Sequence, residues 1–157
     1  MSTLRELLKE KAHESNQRER REKRDEWVAA VKRLIGQFRE WLREADPEQV
    51  LDVMTLDIEK LEQGLGTYHV PGLEISLDDT TVRVLPVGRN VVGFVGPRGD
   101  AGIRAVGRID ITDGSQKYIL YRTTEGGEDR WYALDGRFEA TLLDQHRFEA
   151  IMRDLLS

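Results

Sequence analysis

The chain has 157 residues, 39% hydrophobic and 34% charged, with a formal net charge of −5 at neutral pH and no cysteine. That length suits one domain with an appendage, and the lack of cysteine excludes disulfides, thiol nucleophiles and Cys-ligated zinc or iron–sulfur centres. No apolar run approaches the roughly 18–20 residues of a membrane span, and charges fill the place of a signal peptide's apolar region. A cytoplasmic protein without membrane contact is therefore expected. Residues 1–46 carry 12 Lys and Arg against 10 Asp and Glu, whereas residues 47–157 carry 12 against 19. A weakly basic arm thus precedes an acidic body, which argues against the body as a general nucleic-acid binder.

Thr3-Leu4-Arg5-Glu6 has the form of a capping box, so a helix can begin at Leu4. Leu4, Leu7 and Leu8, with Ala12 one turn on, form a short apolar edge. Residues 9–26 then contain a single apolar side chain, Ala12. Straight-chain charged residues favour helix locally but offer no face to a core. This segment reads as a solvated helix or a tether, with Ser15-Asn16 as its weakest point. The leucines at its start have two readings: a terminus that frays or tucks back on its own domain, or a docking peptide for a groove on another protein.

At Trp27 the pattern changes. Trp27, Val31, Leu34, Phe38, Trp41 and Ala45 recur at alternating spacings of four and three, and Val28, Ile35 and Leu42 widen the stripe. Three apolar positions per heptad suit a bundle or a helix lying on a sheet, and a two-stranded coiled coil would have a narrower seam. Large apolar side chains are worth about 1.5–3 kcal/mol each when buried, so this stripe must find a cover. Trp27, Phe38 and Trp41 are its expected anchors, with Arg39 and Arg43 at the rim.

Asp46-Pro47-Glu48-Gln49 resembles an N-cap followed by proline at the first helical position, which predicts a short helix through Val50, Leu51 and Met54. Residues 55–62 fit either its continuation to a stop at Gly64 or a first strand, with a short helix and then a strand preferred. From Tyr68 the chain reads as β structure: Leu73, Ile75 and Leu77 alternate with polar residues, and Asp78-Asp79 turns into a strand over 80–87. Ile103, Ala105, Gly107, Ile109 and Ile111 mark one face of a third strand. Asp113-Gly114 turns into a strand over 117–124, and Gly126-Gly127 leads to another over 130–134. Asp144 caps a final helix carrying Phe148, Ile151, Met152, Leu155 and Leu156.

The fold class is therefore α+β: an N-terminal helical arm, an antiparallel sheet of about five to six strands in a meander or small roll, and a C-terminal helix. The expected division is an arm over 1–46, comprising a tether over 9–26 and an amphipathic helix over 27–45, and a compact domain over 47–157.

Candidate chemistry is sparse. Gly93, Gly96, Gly99 and Gly102 punctuate a segment without the ending of a P-loop, and it reads as a loop between strands in which Arg98 and Asp100 are weak ligand candidates. Arg18, Arg20, Arg21, Lys23 and Arg24 could follow a phosphate backbone, although Glu19, Glu22, Asp25 and Glu26 dilute their field. Arg83, Arg104, Arg108 and Arg122 would give the sheet a basic face if register aligned them, or would pair with Glu74, Asp110 and Glu125. His13 and His146 read as exposed. His69 is the one histidine placed where a pocket could form, and no two histidines have metal-ligand spacing. Asp110-x-x-Asp113-Gly114 is too short for a calcium loop, and neither Ser76 nor Ser115 sits in a nucleophile elbow.

No metal or cofactor is implied. The expected function is a non-enzymatic interaction module that docks on a protein partner, or on a second copy, through Trp27, Val31, Leu34, Phe38, Trp41, Leu4, Leu7 and Leu8. The alternatives are a nucleic-acid accessory protein using residues 18–24 and a small hydrolase or ligand-binding domain around His69.

Overall fold

A computed structural model of the chain describes residues 3–91, 94–95, 103–134 and 140–157. Its elements run α1 (Leu4–Ala45), β1 (Asp52–Glu62), β2 (Gly66–Leu77), β3 (Thr80–Gly88), β4 (Phe94–Val95), β5 (Ile103–Arg104), β6 (Arg108–Thr112), β7 (Lys117–Glu125), β8 (Glu128–Leu134), β9 (Ala140–Leu142) and α2 (Gln145–Leu156). Seven strands form one sheet in the order β1-β2-β3-β6-β7-β8-β9, while β4 and β5 make a separate pair. Every pairing is antiparallel. The fold is thus an α+β meander with one excursion between β3 and β6, and its strands exceed the five to six expected.

The two helices cover one face of the sheet. Trp27, Val31, Leu34, Ile35, Phe38 and Leu42 of α1 join Phe148, Ile151, Met152 and Leu155 of α2. Beneath them lie Leu73, Ile75, Val82, Val84, Ile109, Ile111, Leu120 and Ala133. Phe38 stacks on Phe148 with ring centroids 4.2 Å apart and planes within 9°, and Trp41 tilts against both rings. Trp27 meets Trp131 at 6.0 Å. Gln145 donates to Glu44 across the same helix pair. The cover required by the wide apolar stripe is therefore the chain's own sheet and last helix, and residues 27–42 belong to the core of the body.

The helix starts where the capping box places it: the Thr3 hydroxyl accepts from the Glu6 amide, and the Thr3 amide donates to the Glu6 carboxylate. It then runs 42 residues through Ser15-Asn16 without a break. Leu4, Leu7 and Leu8 remain 71%, 45% and 58% exposed, so the apolar edge does not tuck back on the body.

The expected helix after Asp46 does not form. Asp46 is instead the C-cap of α1, and its carboxylate accepts from the Val50 and Leu51 amides, 2.8 Å each. Gln49 adopts a positive φ of 55°. An aspartate that satisfies amides four and five residues ahead closes a loop as readily as it starts a helix. All of residues 52–62 then pair along β2, so tertiary pairing decides the ambiguous stretch in favour of strand.

The long strand expected from Ile103 to Ile111 is also interrupted. Residues 103–104 pair with β4, and the main ladder resumes at Arg108. Between them Val106 donates to the Arg122 carbonyl and Arg122 donates to the Gly107 carbonyl. Ala105, Gly107, Ile109 and Ile111 are nonetheless all buried, so the expected face survives the break. The β7–β8 hairpin closes on Gly126 and Gly127, with φ of 61° and 82°, the left-handed pair required by a two-residue hairpin turn. The short strand β9 was not expected from the sequence. Asp144 caps α2 by accepting from the Arg147 amide at 2.7 Å.

Candidate functional site

Two surfaces stand out among the described residues. The first is the free end of α1. Residues 3–23 are exposed throughout, and the β1–β2 turn reaches this helix only at a hollow where Leu65 and Gly66 face Gln17, Arg20, Arg21 and Arg24. From Gln17 back to Leu4 there is about 20 Å of helix at 1.5 Å per residue, exposed along its length. Leu4, Leu7 and Leu8 stand on its last turns at the i, i+3, i+4 spacing that places side chains together. After Ala12 the same face carries Ser15 and charged residues, so the apolar epitope ends within two turns.

Trp27, Val31, Leu34 and Phe38, the anchors expected for a partner, are instead sealed in the protomer, and Trp41 is half-buried against Phe38 and Phe148. Arg39 donates to Thr55 at 2.7 Å, and Arg43 pairs with Glu40 within the helix. Of the residues assigned to docking, only the three leucines remain open. Of the basic residues at 18–24 on α1, Arg20, Arg21 and Arg24 share one face, where with Gln17 they line the hollow beside Leu65 and Gly66, while Arg18 and Lys23 fall to either side of it. Arg24 also contacts Asp25 at 3.6 Å. Arg98 and Asp100 lie outside the described residues.

The second surface is a cavity of about 320 Å³ where α1 meets the β7–β8 hairpin, lined among others by Glu26, Arg33, Arg89, Arg122 and Asp129. Arg122 follows Leu120 on the core-facing side of β7 and is 1% exposed. Its Nε and Nη2 donate to Asp129 Oδ1 at 2.9 and 2.6 Å, and Nη2 also donates to Glu26 Oε1 at 2.7 Å. Arg33 donates to the other oxygen of Asp129. Burial pushes the Asp129 carboxyl upward, but the hydrogen bonds and charges of Arg33 and Arg122 outweigh it and hold the group below the usual carboxylate range. The Nη1 of Arg122 and the Nε of Arg89 are buried with no hydrogen-bond partner.

The four sheet arginines thus form no common basic face. Arg83 pairs with Glu74 and Arg108 with Asp110 on the side of the sheet away from the helices, and Arg122 points the other way. Glu125 pairs with Arg130. The cavity cluster was missed from sequence, yet two signals for it were present: Glu26 and Arg33 are seven apart on one helix flank, and Arg122 keeps step with Leu120.

His69 approaches Asp57 at 3.1 Å, and it borders a shallow hollow with Arg24, Lys32 and Tyr68. Both members of that pair are mostly exposed, at 62% and 77% of their side chains, and the hollow's lining holds no serine. Tyr68 donates to Glu62 at 2.9 Å; burial first, and then that bond, raises its hydroxyl well above the ordinary tyrosine value. Asp113 accepts from the Ser115 and Gln116 amides, the hairpin turn expected there. Among the described residues no three His, Asp or Glu side chains gather as a metal site, and no helix is long and apolar enough to cross a membrane. Comparison with protein-family models, with curated proteins and with solved structures finds no match to this chain.

Proposed function

We propose that the protein is an interaction module whose docking element is the free end of α1, seated in a short apolar groove on a different protein. The observation that carries this reading is a continuous helix with its second half locked in the core and three leucines left open at its far end. The i, i+3, i+4 spacing is the pattern read by helix-in-groove partners. A second copy is a poorer occupant: a parallel or antiparallel pairing along residues 4–23 would bring Lys11, Glu14, Arg18 and Arg21 into the seam after the first two turns. The remaining charged length then works as a solvated spacer.

The test compares the full chain with Leu4→Asp/Leu8→Asp. Both proteins melt at the same temperature and run as monomers by light scattering. Affinity capture from the source cells, quantified by mass spectrometry, retains a protein with the parent chain that the variant loses. A dimer that the variant dissolves would instead make the second copy the occupant, and identical captures would remove the leucines from any docking role.

A further inference from the structure

We infer that the cavity between α1 and the β7–β8 hairpin is a binding site for a protonated phosphate group, either inorganic phosphate or a phosphomonoester. This inference is independent of the docking end of α1. A guanidinium nitrogen buried without a partner forfeits solvation that nothing in the fold returns. Here two such nitrogens, Arg122 Nη1 and Arg89 Nε, belong to residues that line one cavity. Arg122 is 1% exposed, so its orientation is fixed by the Glu26 and Asp129 bonds on its other nitrogens. The same carboxylates that lock the fork leave Nη1 as the remaining donor. With Arg33 alongside, three arginines face two acids, a lining of net positive charge. The volume, about 320 Å³, sits at the small end of ligand pockets, roughly 300–1,000 Å³.

The chemistry of the lining selects among anions. A carboxylate offers two oxygens in one plane, which suits one guanidinium fork; three arginines from α1, from beyond β3 and from β7 call for a tetrahedral anion with more acceptors. The two acids refine this choice. Glu26 Oε1 accepts from Arg122, which leaves Oε2 to accept another hydrogen bond. Hydrogen phosphate can accept from the arginines and donate its own proton to such a carboxylate. Sulfate, fully ionised at neutral pH, has no proton to give and is repelled by Glu26 and Asp129.

The experiment is calorimetric titration of the full chain with inorganic phosphate at constant ionic strength, with sulfate, acetate and a simple phosphomonoester as parallel arms, and with Arg89→Gln as the variant. Arg89 is chosen because among the described residues its side chain donates one hydrogen bond, to the neighbouring Asn90, so the variant keeps the parent fold and melting temperature. The expected result is one saturable phosphate site, with sulfate and acetate at least about tenfold weaker and Arg89→Gln weakening phosphate by about tenfold, or roughly 1.4 kcal/mol. A stronger response to the phosphomonoester than to phosphate assigns the site to a phosphorylated small molecule, and equal responses assign it to the free ion; both keep the proposal. Equal binding of sulfate, unchanged affinity in Arg89→Gln, or no saturable heat each overturns it, the last leaving the cavity to water alone.

Discussion

The ring of Trp27 occupies the space in which any residue other than glycine at position 107 would place its side chain. A Cβ built on Gly107 overlaps the six-membered ring, and Trp27 is itself fully buried against Trp131 with no room to retreat. The helix and the irregular link before β6 are therefore fitted to each other at this point. Gly107→Ala is expected to destabilise the fold by about 1–3 kcal/mol, the range for overpacking a filled core. Urea unfolding reads this directly; a midpoint equal to the parent's would mean that the ring can move aside.

Removing residues 1–12 should leave stability within about 0.5 kcal/mol, since the side chains described there are all exposed. Removing residues 1–46 should abolish cooperative unfolding altogether, because the sheet then loses Trp27, Val31, Leu34, Phe38 and Leu42 from its cover. Circular dichroism melts of both truncations check the pair. A folded 47–157 fragment would refute the core described above.

Asp129 holds Arg122 in place, and a buried cation that loses one partner is expensive. Asp129→Asn is expected to cost about 3–5 kcal/mol, as for breaking a buried ion pair from one side. The sign of the acid response follows from the depressed carboxyl. Its stabilisation is complete above the unfolded value of about 4 and fades as pH falls through the lower folded value. The parent's acid-unfolding curve should accordingly be steeper below about pH 4 than that of the Asn variant, measured by tryptophan fluorescence.

Tyr68 gives the opposite limb. Its folded value lies above the unfolded one, near 10, so its contribution is intact below about pH 10 and is lost as the pH rises further. Tyr68→Phe removes the bond to Glu62 and should cost about 1–2 kcal/mol at neutral pH, while flattening the alkaline decline. Equal slopes above pH 10 in the two proteins would discount the phenol.

How much of this was legible in the residues depends on where the deciding force acts. The stripe from Trp27 to Leu42, the capping box at Thr3, the Asp78-Asp79 and Gly126-Gly127 turns and the Asp144 cap are local patterns, and each appears in place. The arm's boundary was harder to see, because periodicity shows that a face must be covered but not by what. Residues 52–62 misled for a related reason: Asp46-Pro47 is a fair helix start in isolation, and only the full-length ladder to β2 makes it a loop. The arginine cluster drew least notice, since residues from α1, the end of β3, β7 and β8 converge there with no shared spacing.

Between its Thr3 cap and Gly36, α1 contains neither glycine nor proline, so nothing in its backbone invites a bend. Were a partner seated at the leucine tip as proposed, about 20 Å of unbroken helix would separate it from the hollow at Gln17. Covering three such leucines, set against the entropy lost on association, would give a grip of micromolar strength or weaker. Attachment of that kind is brief and easily exchanged, and it becomes durable only where several such tips are presented side by side.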